Sequence, residues 1–179
     1  MISQLPEKIK VGVINVAVGG CDIRLFDKDL FHDYDSTYME DWFVDKLRLY
    51  GGNPYQHLIE RAQRAQKDGV IKGILLHQGE TNTGDQEWPN YVAKIYNDLL
   101  SDLDLQASST PLLAGEVVST ENSCCRAMNS IIGSLPEIIP NAHVISSKNC
   151  TAMDNAHFDS EGYREMGRRY ARKMLQLNY

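Results

Sequence analysis

IKGILLHQGE, residues 71–80, passes without a break from an apolar run into a polar turn. Residues 71–77 (IKGILLH) read as a buried strand, and His77, Gln78, Gly79 and Glu80 follow where it ends. Before it, residues 54–67 form an amphipathic helix, with Pro54 in the first turn and Asp68-Gly69 at the stop. After it, residues 88–103 return to the helical period, with Val92, Ile95, Tyr96 and Leu99 on one stripe. A strand set between two such helices is the repeating unit of a parallel sheet.

The same alternation extends in both directions. Residues 10–18 (KVGVINVAV) are rich in β-branched side chains and end in Gly19-Gly20, which predicts a strand and a tight turn. Residues 111–118 and 143–147 (HVISS) predict two more strands, with a helix over 125–135 between them. A polar, aromatic-rich insertion spans residues 22–53 and carries a helix over 39–49. The last helix begins after Asp159 or Ser160, either of which can cap it. It carries Tyr163, Met166, Tyr170, Met174 and Leu175 on one face. Four parallel strands with helices on both faces make a single α/β domain over residues 1–179, a three-layer sandwich. Chemistry in such sheets gathers at the carboxyl ends of the strands. Gly19-Gly20, residues 77–80 and residues 154–157 (DNAH) all fall there.

Composition narrows the class. The 179 residues are 42% hydrophobic and 23% charged, as in a globular protein, and the net charge of -6 argues against a nucleic-acid surface. No apolar run approaches a membrane span, and the opening MISQLPEKIK lacks the basic start and apolar core of a signal peptide. The four cysteines show no C-x-x-C spacing. One disulfide, Cys150 with Cys124 or Cys125, would suit an exported protein; free thiols near loop ends are the other reading.

Asp154 stands three residues before His157. A carboxylate beside an imidazole fixes its tautomer and stabilises the imidazolium formed when it takes a proton. Gln78, just past a strand, can donate to a developing oxyanion, and Gly79 lets the backbone turn sharply. The backbone N–H groups of Gly19-Gly20 are a second candidate for that task, and Glu80 can anchor the loop. His77, Glu80, Asp154 and His157 also have the chemistry of metal ligands, although a tight glycine turn need not aim His77 and Glu80 the same way. No G-x-S-x-G elbow, G-x-G-x-x-G or phosphate-binding loop is present. Ser119, Ser146 and Ser147 lie near strand ends, but none sits in a turn that would present it as a nucleophile.

The segments KVGVINVAVGGCDI, GVIKGILLHQGETNTGD, PLLAGEV and DNAHFDSEGYREMGRRYA together resemble the SGNH hydrolases. The similarity is to the sialate O-acetylesterase-like domain, including acetylxylan esterases of carbohydrate esterase family 6. The resemblance implies a flavodoxin-like parallel sheet, strand order 2-1-3-4-5. It makes Asp154 the orienting acid, His157 the general base, Gly20 and Gln78 oxyanion donors, and Gly19, Glu80 and His77 their supports. It also implies a secreted enzyme that deacetylates plant polysaccharide such as xylan, without metal or cofactor. The family's serine sits in an N-terminal G-Q-S-N or G-D-S block after the first strand, and this sequence has no such block. Its first strand instead resembles the family's second. The missing strand would lie between residues 10–18 and 71–77, leaving two open edges. The expectation is therefore a piece of a longer chain, or a sheet completed by another segment. A catalytically silent member with a binding role is the alternative.

Overall fold

The computed structural model describes residues 5–31 and 41–178. Among these, β1 (Ile74–Leu76), β2 (Leu112–Gly115) and β3 (Ala142–Ile145) form one parallel sheet in the order β1-β2-β3. Leu75 lies opposite Leu113, and Leu113 opposite His143. The helix α1 (Asp41–Arg48) precedes α2 (Pro54–Gln66), which leads into β1. The link from β1 to β2 is α3 (Trp88–Asp102). From β2 to β3 the chain passes through α4 (Met128–Gly133) and α5 (Leu135–Ile138), and α6 (Ser160–Asn178) closes it. The fold is α/β with a parallel sheet and helices on both faces, as expected.

Local chemistry sets the helix ends. Asn53 caps α2 by accepting from the Gln56 N–H at 3.0 Å, and Pro54 follows where no donor is needed. Of the two candidates for the α6 cap, Asp159 fills the role: its Oδ1 accepts from the Gly162 N–H at 2.8 Å and from the Thr151 hydroxyl at 2.6 Å. The helix expected over 125–135 starts later, at Met128, and breaks at Ser134 before Pro136. The helix expected over 39–49 is α1; residues 39 and 40 lie outside the described residues.

Strand alternation divides the core between two layers. Ile74, Leu76, Leu112, Ala114, Ala142 and Val144 face a cluster shared with α2, α3, α4 and α5, in which Trp88, Met128, Ile132 and Leu135 are fully buried. Burying each such side chain contributes about 1.5–3 kcal/mol. On the opposite face Leu113 and Ile145 pack with Met166, Phe158 and Cys150 beneath α6. Leu75 shares this second face, but α6 packs against β2 and β3 and leaves Leu75 53% exposed.

The fourth expected strand is corrected. Residues 10–18 take no strand conformation, and Val13 is 78% exposed. The reason is the lack of a partner. A strand needs a neighbouring ladder, and β1 pairs only with β2 among the described residues. The end of this segment is fixed instead by Val18, Cys21 and Leu25, packed against Phe43 of α1.

Candidate active site

The turn over residues 153–158 is built around one carboxylate. Asp154 Oδ1 accepts from the backbone N–H groups of Ala156 (2.8 Å) and His157 (2.6 Å). The Met153 N–H returns to the His157 carbonyl at 3.0 Å, and Ala152 bridges Phe158. So folded, the turn brings the His157 Nδ1 to 3.0 and 2.9 Å from the two Asp154 oxygens. The Ala156 N–H first, then the His157 ring and the His157 N–H, hold the Asp154 carboxyl down at about 2. With Nδ1 engaged by the carboxylate, Nε2 is the nitrogen left to act as base. The His157 side chain is 64% exposed, so the dyad lies open to solvent.

The second loop follows β1. The His77 ring lies 5.8 Å from that of Phe158, which stands 5.6 Å from Tyr163 on its other contact. Desolvation lowers the His77 pKa, opposed by the Glu80 charge. Gly115 permits this packing, since a Cβ there would strike the Tyr170 hydroxyl and the His77 Nδ1. The Tyr170 hydroxyl donates to the Leu76 carbonyl at 2.6 Å, tying α6 to the end of β1. Glu80 acts through its charge on His77, Cys21 and Tyr163, and Asp154 also acts on Tyr163. The loops after β1 and β3 therefore meet around Phe158 and Tyr163.

The third loop is locked to the second. The Gln78 Nε2 donates to the Cys21 carbonyl at 3.0 Å and to Asn82 Oδ1 at 2.8 Å, while its Oε1 accepts from the Trp88 indole at 2.5 Å. Both amide hydrogens are thus committed within the chain. Gly20 accepts from the Thr81 hydroxyl at 3.1 Å, and Gly19 from Lys46 Nζ at 3.3 Å. Among the described residues no group accepts the Gly20 N–H.

Asn82, which pattern reasoning passed over, is the hub of this junction. It is 4% exposed; its Oδ1 accepts from the Ile23 N–H (2.9 Å) and Gln78, and its Nδ2 donates to Asp22 (3.0 Å) and Asp85 (3.3 Å). The signal lay in HQGETNTGD itself, where a short amide side chain sits four residues after Gln78.

The serines near strand ends are otherwise engaged. Ser147 is buried and donates to the Val117 carbonyl; Ser146 donates to Glu116, and Ser119 to the Ser147 carbonyl. Glu116, Ser119, Arg126, Ser146 and Lys148 line a cleft of about 460 Å³ beyond β2 and β3. No described serine hydroxyl hydrogen-bonds the His157 ring. The four residues weighed as metal ligands do not converge. The acids that do, Asp27, Asp29 and Asp98, surround the Lys94 ammonium at 2.7–2.9 Å.

The disulfide also differs from expectation. Cys124 bonds to its neighbour Cys125, while Cys21 and Cys150 are free and buried. Cys150 packs beneath α6 and Cys125 in the cluster on the other face of the sheet, so the sheet separates them.

A parallel sheet covered by helices, with polar loops gathered at its carboxyl rim, is the architecture of an SGNH-type α/β hydrolase. Residues 1–176 match the family described as carbohydrate esterase, sialic acid-specific acetylesterase, and the chain belongs to that family of esterases.

Proposed function

We propose that this chain is the larger part of a carbohydrate O-acetylesterase that removes acetyl groups from a plant polysaccharide resembling acetylxylan. Residues 1–179 act as one domain. His157 is the general base and later the general acid, Asp154 orients it, and the Gly20 N–H receives the oxyanion. The observation that carries this reading is the Asp154–His157 pair, held by its own turn at the rim where three loops meet. The attacking serine comes with a strand outside these 179 residues, from an upstream segment or a second chain. That strand seats between β1 and residues 10–18. The exposed Leu75 and the unpaired residues 10–18 support this seating.

The serine oxygen attacks the acetyl carbonyl as His157 Nε2 takes its proton. The acyl-enzyme forms as the sugar hydroxyl leaves with that proton, and water repeats the sequence to release acetate. Gln78 contributes an oxyanion donor once one amide hydrogen is released from Cys21 or Asn82; Glu80 and His77 support the loop.

Replacing His157 by Ala in the completed enzyme lowers turnover roughly 10²–10⁴-fold, the usual contribution of a general base. A variant with near-normal turnover overturns the role. A second reading, a silent member that only binds acetylated sugar, is favoured by the two occupied amide hydrogens of Gln78. It predicts binding of an acetylated oligosaccharide by calorimetry and no turnover even after completion.

A further inference from the structure

We propose that the adjacent pair Cys124–Cys125 is a thiol-reactive modification site whose redox state sets how firmly its loop holds the Asp154–His157 turn. The catalytic use of that turn rests on the function proposed above; the chemistry of the pair does not. A bond between neighbouring residues closes almost no chain, so it constrains the unfolded state far less than a long-range bridge. Its effect is local: it fuses two residues and their joining peptide into one small ring. That ring sits in the loop between β2 and α4, with Cys125 anchored in the core and Cys124 exposed.

One contact connects the ring to the turn that holds the dyad. The Cys124 N–H donates to the Asn155 carbonyl at 3.0 Å, between Asp154 and His157. The remaining thiols are poor competitors. Cys21 and Cys150 are buried, and desolvation pushes Cys21 up to about 12 and Cys150 in the same direction.

A thiolate from a small dithiol attacks the exposed Cys124 Sγ. The mixed disulfide forms, and Cys125 leaves as a thiolate that takes up a proton. The second thiol of the reagent then attacks the reagent's own sulfur in the mixed disulfide and expels Cys124. The protein pair gains two electrons and two protons, and the dithiol becomes a cyclic disulfide. Opening the ring frees the peptide between residues 124 and 125 and loosens the tether to Asn155.

The test treats the native chain with iodoacetamide, with and without prior dithiothreitol, and reads labelled sites by mass spectrometry and amide exchange by NMR. Without reductant no cysteine is labelled. After reduction one label appears, at the exposed Cys124, while Cys125, Cys21 and Cys150 stay shielded in the core, and the Cys124 amide exchanges about tenfold faster, the effect of losing one hydrogen bond. Three results overturn the proposal: labels at 124 and 125 before reduction; unchanged exchange after it; or labelling of Cys21 and Cys150 on reduction, which would make the pair a support of the whole fold. None of these readouts depends on esterase activity.

Discussion

Replacing Asn82 by Ala removes the hub that joins the loop after β1 to the loop at Gly20–Ile23. The change strands two groups. The Ile23 N–H, in a residue 2% exposed, loses its acceptor, and one Gln78 amide hydrogen loses its own. Asp22 and Asp85 each lose a donor, but Asp22 keeps the Arg24 backbone N–H at 2.9 Å and its guanidinium at 2.9 and 2.7 Å. A buried donor left unsatisfied costs about 1–3 kcal/mol, so one full loss and one partial loss sum to about 3 kcal/mol. With a urea slope of about 2 kcal/mol/M, the unfolding midpoint falls by about 1.5 M. Equilibrium urea unfolding followed by far-UV circular dichroism measures this. A double-mutant cycle with Gln78→Ala separates the shared part and should give a coupling of about 1 kcal/mol. A midpoint shift below about 0.3 M, or a coupling near zero, would refute the hub.

Two further predictions rest on charge. Lys94→Ala leaves the fully buried Asp27 without its ammonium partner, and should cost about 1–3 kcal/mol in the same unfolding assay, since the ammonium is 38% exposed and Asp27 Oδ1 keeps the Asp29 and Leu30 N–H groups; a loss under about 0.5 kcal/mol would show the ammonium to be dispensable to Asp27. Acid should destabilise the chain in two stages. His77 and His143 have folded pKa values below 6.5, so the unfolded state binds more protons, and stability falls as pH drops below about 6.5. Asp154 is held at about 2 against 3.8, so its contribution is present above 3.8 and is lost as pH falls from there towards 2. Urea midpoints that rise between pH 7 and pH 5 would contradict the histidine assignment.

The parts of the fold legible in sequence were those whose partners are among the described residues. Residues 74–76, 112–115 and 142–145 pair with one another, and their aliphatic runs are therefore both strand-like and buried. Residues 10–18 carry an equally strong β pattern and form no strand, because propensity describes a surface suited to a ladder and cannot create one. Of the site, D-x-x-H was readable because residues 154–157 close their own turn. Asn82 was not, because its four partners are spread over residues 22–85 and only the folded chain brings them together. The Cys124–Cys125 bond was missed for a related reason: spacing cannot show which face of the sheet Cys150 occupies.

The most direct measurement of the central claim is hydrolysis of p-nitrophenyl acetate by the chain alone and with a segment carrying the proposed strand and serine, each with and without a serine-directed phosphonate. The chain alone should be slow and indifferent to phosphonate, since serine hydrolases stripped of the nucleophile keep only about 10³–10⁴-fold over water. Addition of the segment should restore fast turnover that phosphonate abolishes. Fast, phosphonate-sensitive turnover by the chain alone, with the label on Ser119 or Ser146, would contradict the account and move the nucleophile into the cleft those residues line.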